Sequence, residues 1–187
     1  MAKPDKTALI LVDVINSFFE PGHPNHYPGV EDVLEPMRAL RNAARRSGAI
    51  VVHAVERHRK GFEDFEWRKL PIHHLEGAHD AAFFADFAPH GPNETVVYKR
   101  RFSAFFGTDL ALFLHEQNVT RVVIAGVKTN VCIRATAQDA FASGFEPVVP
   151  REATNSNRPH LAEASLEDIN RYMGRVVLLA EAVELLS

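Results

Sequence analysis

Cysteine is almost missing from this chain: among 187 residues there is one, Cys132. A single thiol closes no internal disulfide and builds no multi-thiolate zinc or iron–sulfur centre, so a stapled secreted scaffold and a ferredoxin-like carrier are both excluded. Long apolar runs are missing too. Asp13, Lys128 and Glu181 interrupt the best stretches, well short of the roughly 20 residues that a membrane-crossing helix needs. Asp13 also cuts the first apolar stretch before it reaches signal-peptide length. Charge of one sign is scarce. The 21 Lys and Arg against 24 Asp and Glu leave −3, and the densest basic run is Lys99-Arg100-Arg101. That balance argues against a nucleic-acid partner. With 10 Gly and 11 Pro there is no low-complexity tract or linker. A globular, cytoplasmic chain with no membrane span is expected, as one domain over residues 1–187.

What is present is an alternation. Short β-branched runs at 7–12, 49–55, 95–98, 121–125, 145–149 and 175–179 are separated by stretches of helical spacing at 33–47, 109–117, 131–143 and 159–172. That pattern reads as an α/β fold, a parallel sheet with crossover helices, and the nearly all-apolar strands imply cover on both faces. Gly48, Asn118 and Gly144 stand where a helix would end in a left-handed cap. Residues 56–92 have little period and read as a long excursion beside the sheet.

Open parallel sheets bind ligands beyond the carboxyl ends of their strands. Three chemically able side chains stand there: Asp13 after ALILV, Lys99 after TVVY, and Cys132 in the turn after RVVIA. Each has an ordinary reading as well. Asp13 could cap its loop, Lys99 could be a solvated member of a basic run, and Cys132 could be a small buried apolar group. In the functional reading Asp13 is a general base, Lys99 its cationic partner, and Cys132 a nucleophile. Thr129 or Asn130 would cap a helix starting near Val131, and the helix start together with the lysine would lower the thiol pKa toward a standing thiolate. Neither a G-x-G-x-x-G nor a phosphate-loop spacing occurs, so no nucleotide cofactor is expected.

The ten histidines suggest metal binding at His23-x-x-His26, Glu56-x-His58 or His73-His74, with Glu56 and His58, at the end of the second strand, the best placed; the spacings are generic, polar surface loops account for the rest, and no metal is assigned. Aromatic residues gather at 18–19, 62–67, 83–84 and 102–106, as core packing with some pocket wall.

Three segments, ALILVDVINSFF, VVYKRRFSAFFGTDL and VVIAGVKTNVCIRATAQDAF, resemble the signature blocks of the isochorismatase-like cysteine hydrolases, in the same order. The resemblance runs from about Thr7 to Val177 and includes the late stretch ATNSNRPHLAEASLEDINRYMG. It implies a three-layer fold with a six-stranded parallel sheet of order 3-2-1-4-5-6, and a triad of Asp13, Lys99 and Cys132. It further implies a cis peptide between Val127 and Lys128, and an oxyanion hole from the amides of Lys128 and Cys132. Phe18, Arg101, Phe102, Phe105 and Asn155 would be substrate contacts. Isochorismate-cleaving members lack the cysteine, so Cys132 indicates the branch that hydrolyses amides, ureides or carbamoyl groups, as nicotinamidases and N-carbamoylsarcosine amidases do.

Nicotinamidases carry an Asp-x-His and a further His for a metal, where this chain has Glu56-Arg57-His58 followed by Arg59, Lys60 and Gly61. In the first block Ile15 and Ser17 replace the residues the family often has. The pattern Arg57, Asp64, Arg68 with Glu76-Gly77 is closer to the carbamoyl- and ureido-directed members. The expectation is therefore a cofactor-free amidohydrolase acting on a small molecule through a thioester, associating with its own copies as such proteins do. A metal-dependent nicotinamidase, and a non-catalytic metabolite binder or redox sensor of the same fold, are the alternatives.

Overall fold

Strand β1 (Thr7–Val12, TALILV) is buried along its whole length, as a strand covered on both faces must be. The computed structural model describes residues 6–187; residues 1–5, which the reading of one domain over 1–187 includes, lie outside the described residues. After β1 come α1 (Asn16–Phe19), α2 (Leu34–Ser47), β2 (Val51–Glu56), β3 (Glu94–Lys99), α3 (Leu110–Glu116) and β4 (Arg121–Val127). Then follow α4 (Arg134–Ala142), β5 (Glu146–Pro150), β6 (Thr154–Asn155), α5 (Pro159–Tyr172), β7 (Arg175–Val177) and α6 (Leu179–Leu185).

The strands pair in parallel in the order β3-β2-β1-β4-β5-β7, with β6 pairing beyond β5 onto the end of β4. The expected order of six holds, with β7 as the sixth strand; the two-residue β6 is an addition. Alternate residues of β1 face opposite layers. Leu9 and Leu11 pack with Met37, Leu40 and Ala44 of α2 and Ala182 of α6. Ala8, Ile10 and Val12 pack with Leu110 and Leu114 of α3, Ala137 and Ala140 of α4, and Leu166 and Ile169 of α5. Burying each Leu or Ile side chain contributes about 1.5–3 kcal/mol, so these layers hold the sheet rigid under the loops at its carboxyl edge.

Gly48, Asn118 and Gly144 all take positive φ, at 78°, 58° and 86°. Elsewhere the boundaries move. Strand β7 stops at Val177 because Leu179 opens α6, whose Ala182 is buried. Lys99 is the last residue of β3 and not the first after it, and β4 runs on to Val127. The stretch expected to be helical from 131 starts with a wide turn, Thr129–Ile133, before α4 begins at Arg134. Among the described residues no helix is long and apolar enough to cross a membrane.

Candidate active site

The register of the sheet brings the site together. Glu56 ends β2 directly opposite Lys99 of β3, and Val12 of β1 lies opposite Ala54 of β2 and Gly126 of β4. Asp13, the next residue, has φ 56°, a left-handed conformation that Asp tolerates better than most side chains. Its amide donates to the Ala54 carbonyl (2.9 Å) and its Oδ1 accepts from the Glu56 amide (2.8 Å). Lys99 reaches across the end of β2, about two strand spacings or 10 Å, to place Nζ 2.8 Å from Asp13 Oδ2. Both side chains are fully buried. Burial works against the Lys99 cation, but Asp13, Cys132 and Glu56 outweigh it and hold its pKa above the usual lysine range.

On the other side of β1, Gly126 lets β4 come close. A Cβ at this residue would lie 2.1 Å from the Val12 carbonyl oxygen. The Val127–Lys128 peptide that follows is cis. In the wide turn the Lys128 carbonyl accepts from the amides of Val131 (3.0 Å) and Ile133 (3.2 Å), on either side of Cys132. Thr129 and Asn130 do not cap the turn: Thr129 Oγ1 bonds Thr154 Oγ1 (2.8 Å), and Asn130 Oδ1 accepts from Ser156 Oγ (2.6 Å). Cys132 Sγ sits 3.7 Å from Lys99 Nζ.

The thiol differs from the expectation of a depressed pKa. Burial pushes it well above its ordinary value, Lys99 pulls it down, and the negative charges of Asp13 and Glu56 add to the upward push. The helix-start argument is local and does not register that Cys132 is buried with two carboxylates nearby. The resting sulfur is therefore a neutral thiol, and ionising it requires its proton to leave during the reaction.

A cavity of about 300 Å³ opens above the sulfur. Phe18, Asn25, Phe102, Lys128 and Val131 line it with Cys132, together with Glu56, Leu70, Pro71, His73 and His74. Two of the expected substrate contacts, Phe18 and Phe102, are thus in place. Three lie elsewhere. Arg101 is drawn into an ion pair with Asp64 (2.9 Å), and Phe105 is buried against Phe145 under the sheet. The Asn155 carboxamide is spent on the Tyr27 hydroxyl (2.7 Å) and the Gly29 carbonyl (2.6 Å).

The family model for the Isochorismatase domain matches residues 7–181. This chain belongs to the isochorismatase family. It is 39% identical over 184 residues to a maleamate amidohydrolase of Pseudomonas putida, covering 96% of this chain and 86% of that protein. It is 31% identical over 179 residues to an N-carbamoylsarcosine amidase of Arthrobacter sp., covering 92% and 68%. Among solved structures, an isochorismatase-like hydrolase from Alkaliphilus metalliredigens superposes with a TM-score of 0.85 at 30% identity, covering 98% of this chain and 97% of the other.

This isochorismatase-family chain also carries a group of side chains that sequence spacing left on the surface. Glu56, His58, Glu66 and His73 bring one potential ligand atom each to within 4.8 Å of one another. His58 Nδ1 meets Asp64 Oδ2 (3.0 Å) and His73 Nε2 lies 3.4 Å from Glu56 Oε2. Burial opposes charge on all three of these titrating groups, and their partners prevail. Glu66, Asp64 and Glu56 raise the His58 pKa, bonds and charge from Glu56 raise His73 to about 8, and Lys99 with His73 and His74 holds Glu56 well below the carboxylate range. His58 Nε2 and Glu66 Oε2 face each other at 3.2 Å, while buried Glu56 Oε1 has no hydrogen-bond partner. Two imidazoles and two carboxylates, one of them with a buried unpaired oxygen, fit a divalent transition metal such as zinc. The earlier expectation of surface histidines fails because residues 70–76 fold back onto β2: the His58 amide donates to the His74 carbonyl (2.9 Å), and the Glu76 amide to the His58 carbonyl (2.8 Å).

Proposed function

We propose that this chain is a cysteine hydrolase that cleaves the C–N bond of a small amide, ureide or carbamoyl compound. The supporting observation is one buried ammonium, Lys99, 2.8 Å from the Asp13 carboxylate and 3.7 Å from the sulfur of Cys132, which lines the cavity. The named relatives, a maleamate amidohydrolase and an N-carbamoylsarcosine amidase, support amide and carbamoyl bonds as the chemical range.

In this reading Asp13 takes the thiol proton as sulfur bonds to the carbonyl carbon, and the C=O electron pair moves onto oxygen. The amides of Lys128 and Cys132 hold that oxyanion. Collapse expels the nitrogen, which leaves with the proton from Asp13 as ammonia or an amine. Water, deprotonated by Asp13, then opens the thioester, and the thiol is regenerated. A neutral resting thiol makes the base obligatory, and Lys99 keeps the Asp13 site from accumulating uncompensated charge. The nucleophile is the only cysteine, and a thiol of this kind persists in a reducing compartment such as the cytoplasm.

The test is ammonia or amine release from a panel of amides, ureides and carbamoyl compounds, with acid-quenched enzyme analysed by mass spectrometry. An acyl mass on Cys132 that is absent in Cys132→Ala, together with loss of turnover in that variant, is the expected result. Turnover by Cys132→Ala overturns the proposal.

A second reading, a metal-dependent nicotinamidase, is favoured by the convergence of Glu56, His58 and Glu66, with Glu56 Oε1 buried and unpaired. Those residues with His73 would hold the cation, which when bound supplies a Lewis acid at the cavity wall to orient the substrate. Ammonia release from nicotinamide that stops with a chelator favours it; metal-free turnover of small ureides favours the first reading.

A further inference from the structure

Lys128 brings a cation into the reaction cavity with no anion to meet it. Its side chain lines the cavity beside Cys132, half-buried. Nζ stands 5.7 Å from the centre of the Phe18 ring and 5.2 Å from that of Tyr27. The neighbouring Lys99, Arg100 and Arg101 each have a carboxylate in contact: Lys99 meets Asp13, and Arg100 and Arg101 share Asp64. Among the described residues Lys128 makes no ion pair. Aromatic faces return only about 0.5–1 kcal/mol to a cation at a partly exposed site, less than a carboxylate in direct contact gives. Burial works against the Lys128 cation and lowers its pKa; Cys132 opposes that shift and Arg158, which precedes α5, adds to it. An anion bound at Nζ offsets that penalty.

We propose that the substrate carries a carboxylate close to its scissile amide or carbamoyl group, and that the Lys128 ammonium receives it. This rests on the reading of the cavity as the place where Cys132 attacks. Under that reading one residue serves both ends of the substrate, its amide facing the carbonyl oxygen and its side chain the carboxylate. The two groups must therefore lie within a single lysine side chain of each other, which selects short amido acids and N-carbamoyl amino acids over neutral or aromatic amides. The Phe18 and Tyr27 rings beside Nζ favour one position of the ammonium, so that less side-chain freedom is lost when the carboxylate arrives.

The experiment compares kcat/KM for the saturated and cis-unsaturated four-carbon amido acids and for N-carbamoylglycine with that for neutral isosteres in which a methyl ketone or alkyl group replaces the carboxylate. Wild type should favour the acids by about 100-fold, the scale of a charge-assisted contact. Lys128→Met should cut that preference at least about tenfold, mostly through KM, and Lys128→Arg should retain most of it. As a measurement that needs no variant, succinate should inhibit wild type competitively, less well as salt rises, while succinamide should not. A wild-type preference near one, or a Lys128→Met variant that loses acids and isosteres in equal proportion, overturns the inference and leaves the parent reading intact. If neither set acylates Cys132, the parent reading falls and takes this one with it.

Discussion

Removing Lys99 should destabilise the fold more than removing Lys99 and its partner together. In Lys99→Met the long apolar stem still fills its buried track, but the Asp13 carboxylate is left fully buried with its Oδ2 facing no cation. Breaking a buried pair in this way costs about 3–5 kcal/mol, out of a total stability of about 5–15 kcal/mol. Asp13→Asn/Lys99→Met removes both charges, and Asn keeps the oxygen that accepts from the Glu56 amide at 2.8 Å while tolerating the positive φ of 56°. The bond from Lys99 to the Arg101 carbonyl (3.3 Å) is still lost, so the double variant should lie about 1–2 kcal/mol below wild type. The raised Lys99 pKa contributes stability that is fully present below pH 10.5, its unfolded value, and that fades as pH rises through the folded one. Urea unfolding at pH 7, followed by far-UV circular dichroism, therefore sees the whole effect. Asp13→Asn alone, which leaves the Lys99 ammonium unpaired, should cost a similar amount, so the two single variants and the double should give a coupling energy of at least about 4 kcal/mol; losses that add to within about 0.5 kcal/mol would refute the buried-pair argument.

Iodoacetamide labelling of Cys132 should be slower at pH 7 than that of a free thiol and should climb without a plateau through pH 9, because burial and the two carboxylates raise the thiol pKa above 9.0; a plateau below pH 8 would contradict this. Glu94→Gln should cost about 2 kcal/mol at pH 7 and flatten the acid limb of a pH–stability curve. The Glu94 carboxyl is opposed by burial but held down to about 2 by Arg45 and His53, so its contribution is present above pH 4.5 and is lost as pH falls toward 2. His53 is itself kept below its ordinary range by burial, so Arg45 is the cation that matters at neutral pH. Gly126→Ala cannot fit a Cβ 2.1 Å from the Val12 oxygen; a loss of at least about 3 kcal/mol should lower the melting temperature by about 6–12 °C in calorimetry.

The parts of the fold that could be read from the sequence are those in which one signal dominates. ALILV has no polar position to hide, so its burial on both faces and the placing of Asp13 at the strand's carboxyl end follow directly. The run VVLLAEAVELL is ambiguous. Its first residues read as a strand, yet buried Ala182 and Leu186 recur at helical spacing, and packing on α2 selects α6 from Leu179. The triad positions stand out because each ends or follows an apolar run in a parallel sheet. The failures involve partners distant in sequence. Arg101 looks free until Asp64, 37 residues away, claims it. Asn155 looks like a pocket residue until Tyr27 takes its oxygen. The direction of the Cys132 shift depends on Glu56 and on burial depth, neither of which leaves a mark near residue 132.

The reacting groups and the cavity wall come from different kinds of structure. Asp13, Glu56 and Lys99 are pinned by backbone hydrogen bonds between neighbouring strands, whereas Leu70, Pro71, His73 and His74 of the wall come from an irregular stretch outside the sheet. Inherited changes in residues 70–74 can therefore remodel which guest fits while the reacting atoms keep their spacing. A family built on this plan diversifies its diet without reinventing its chemistry.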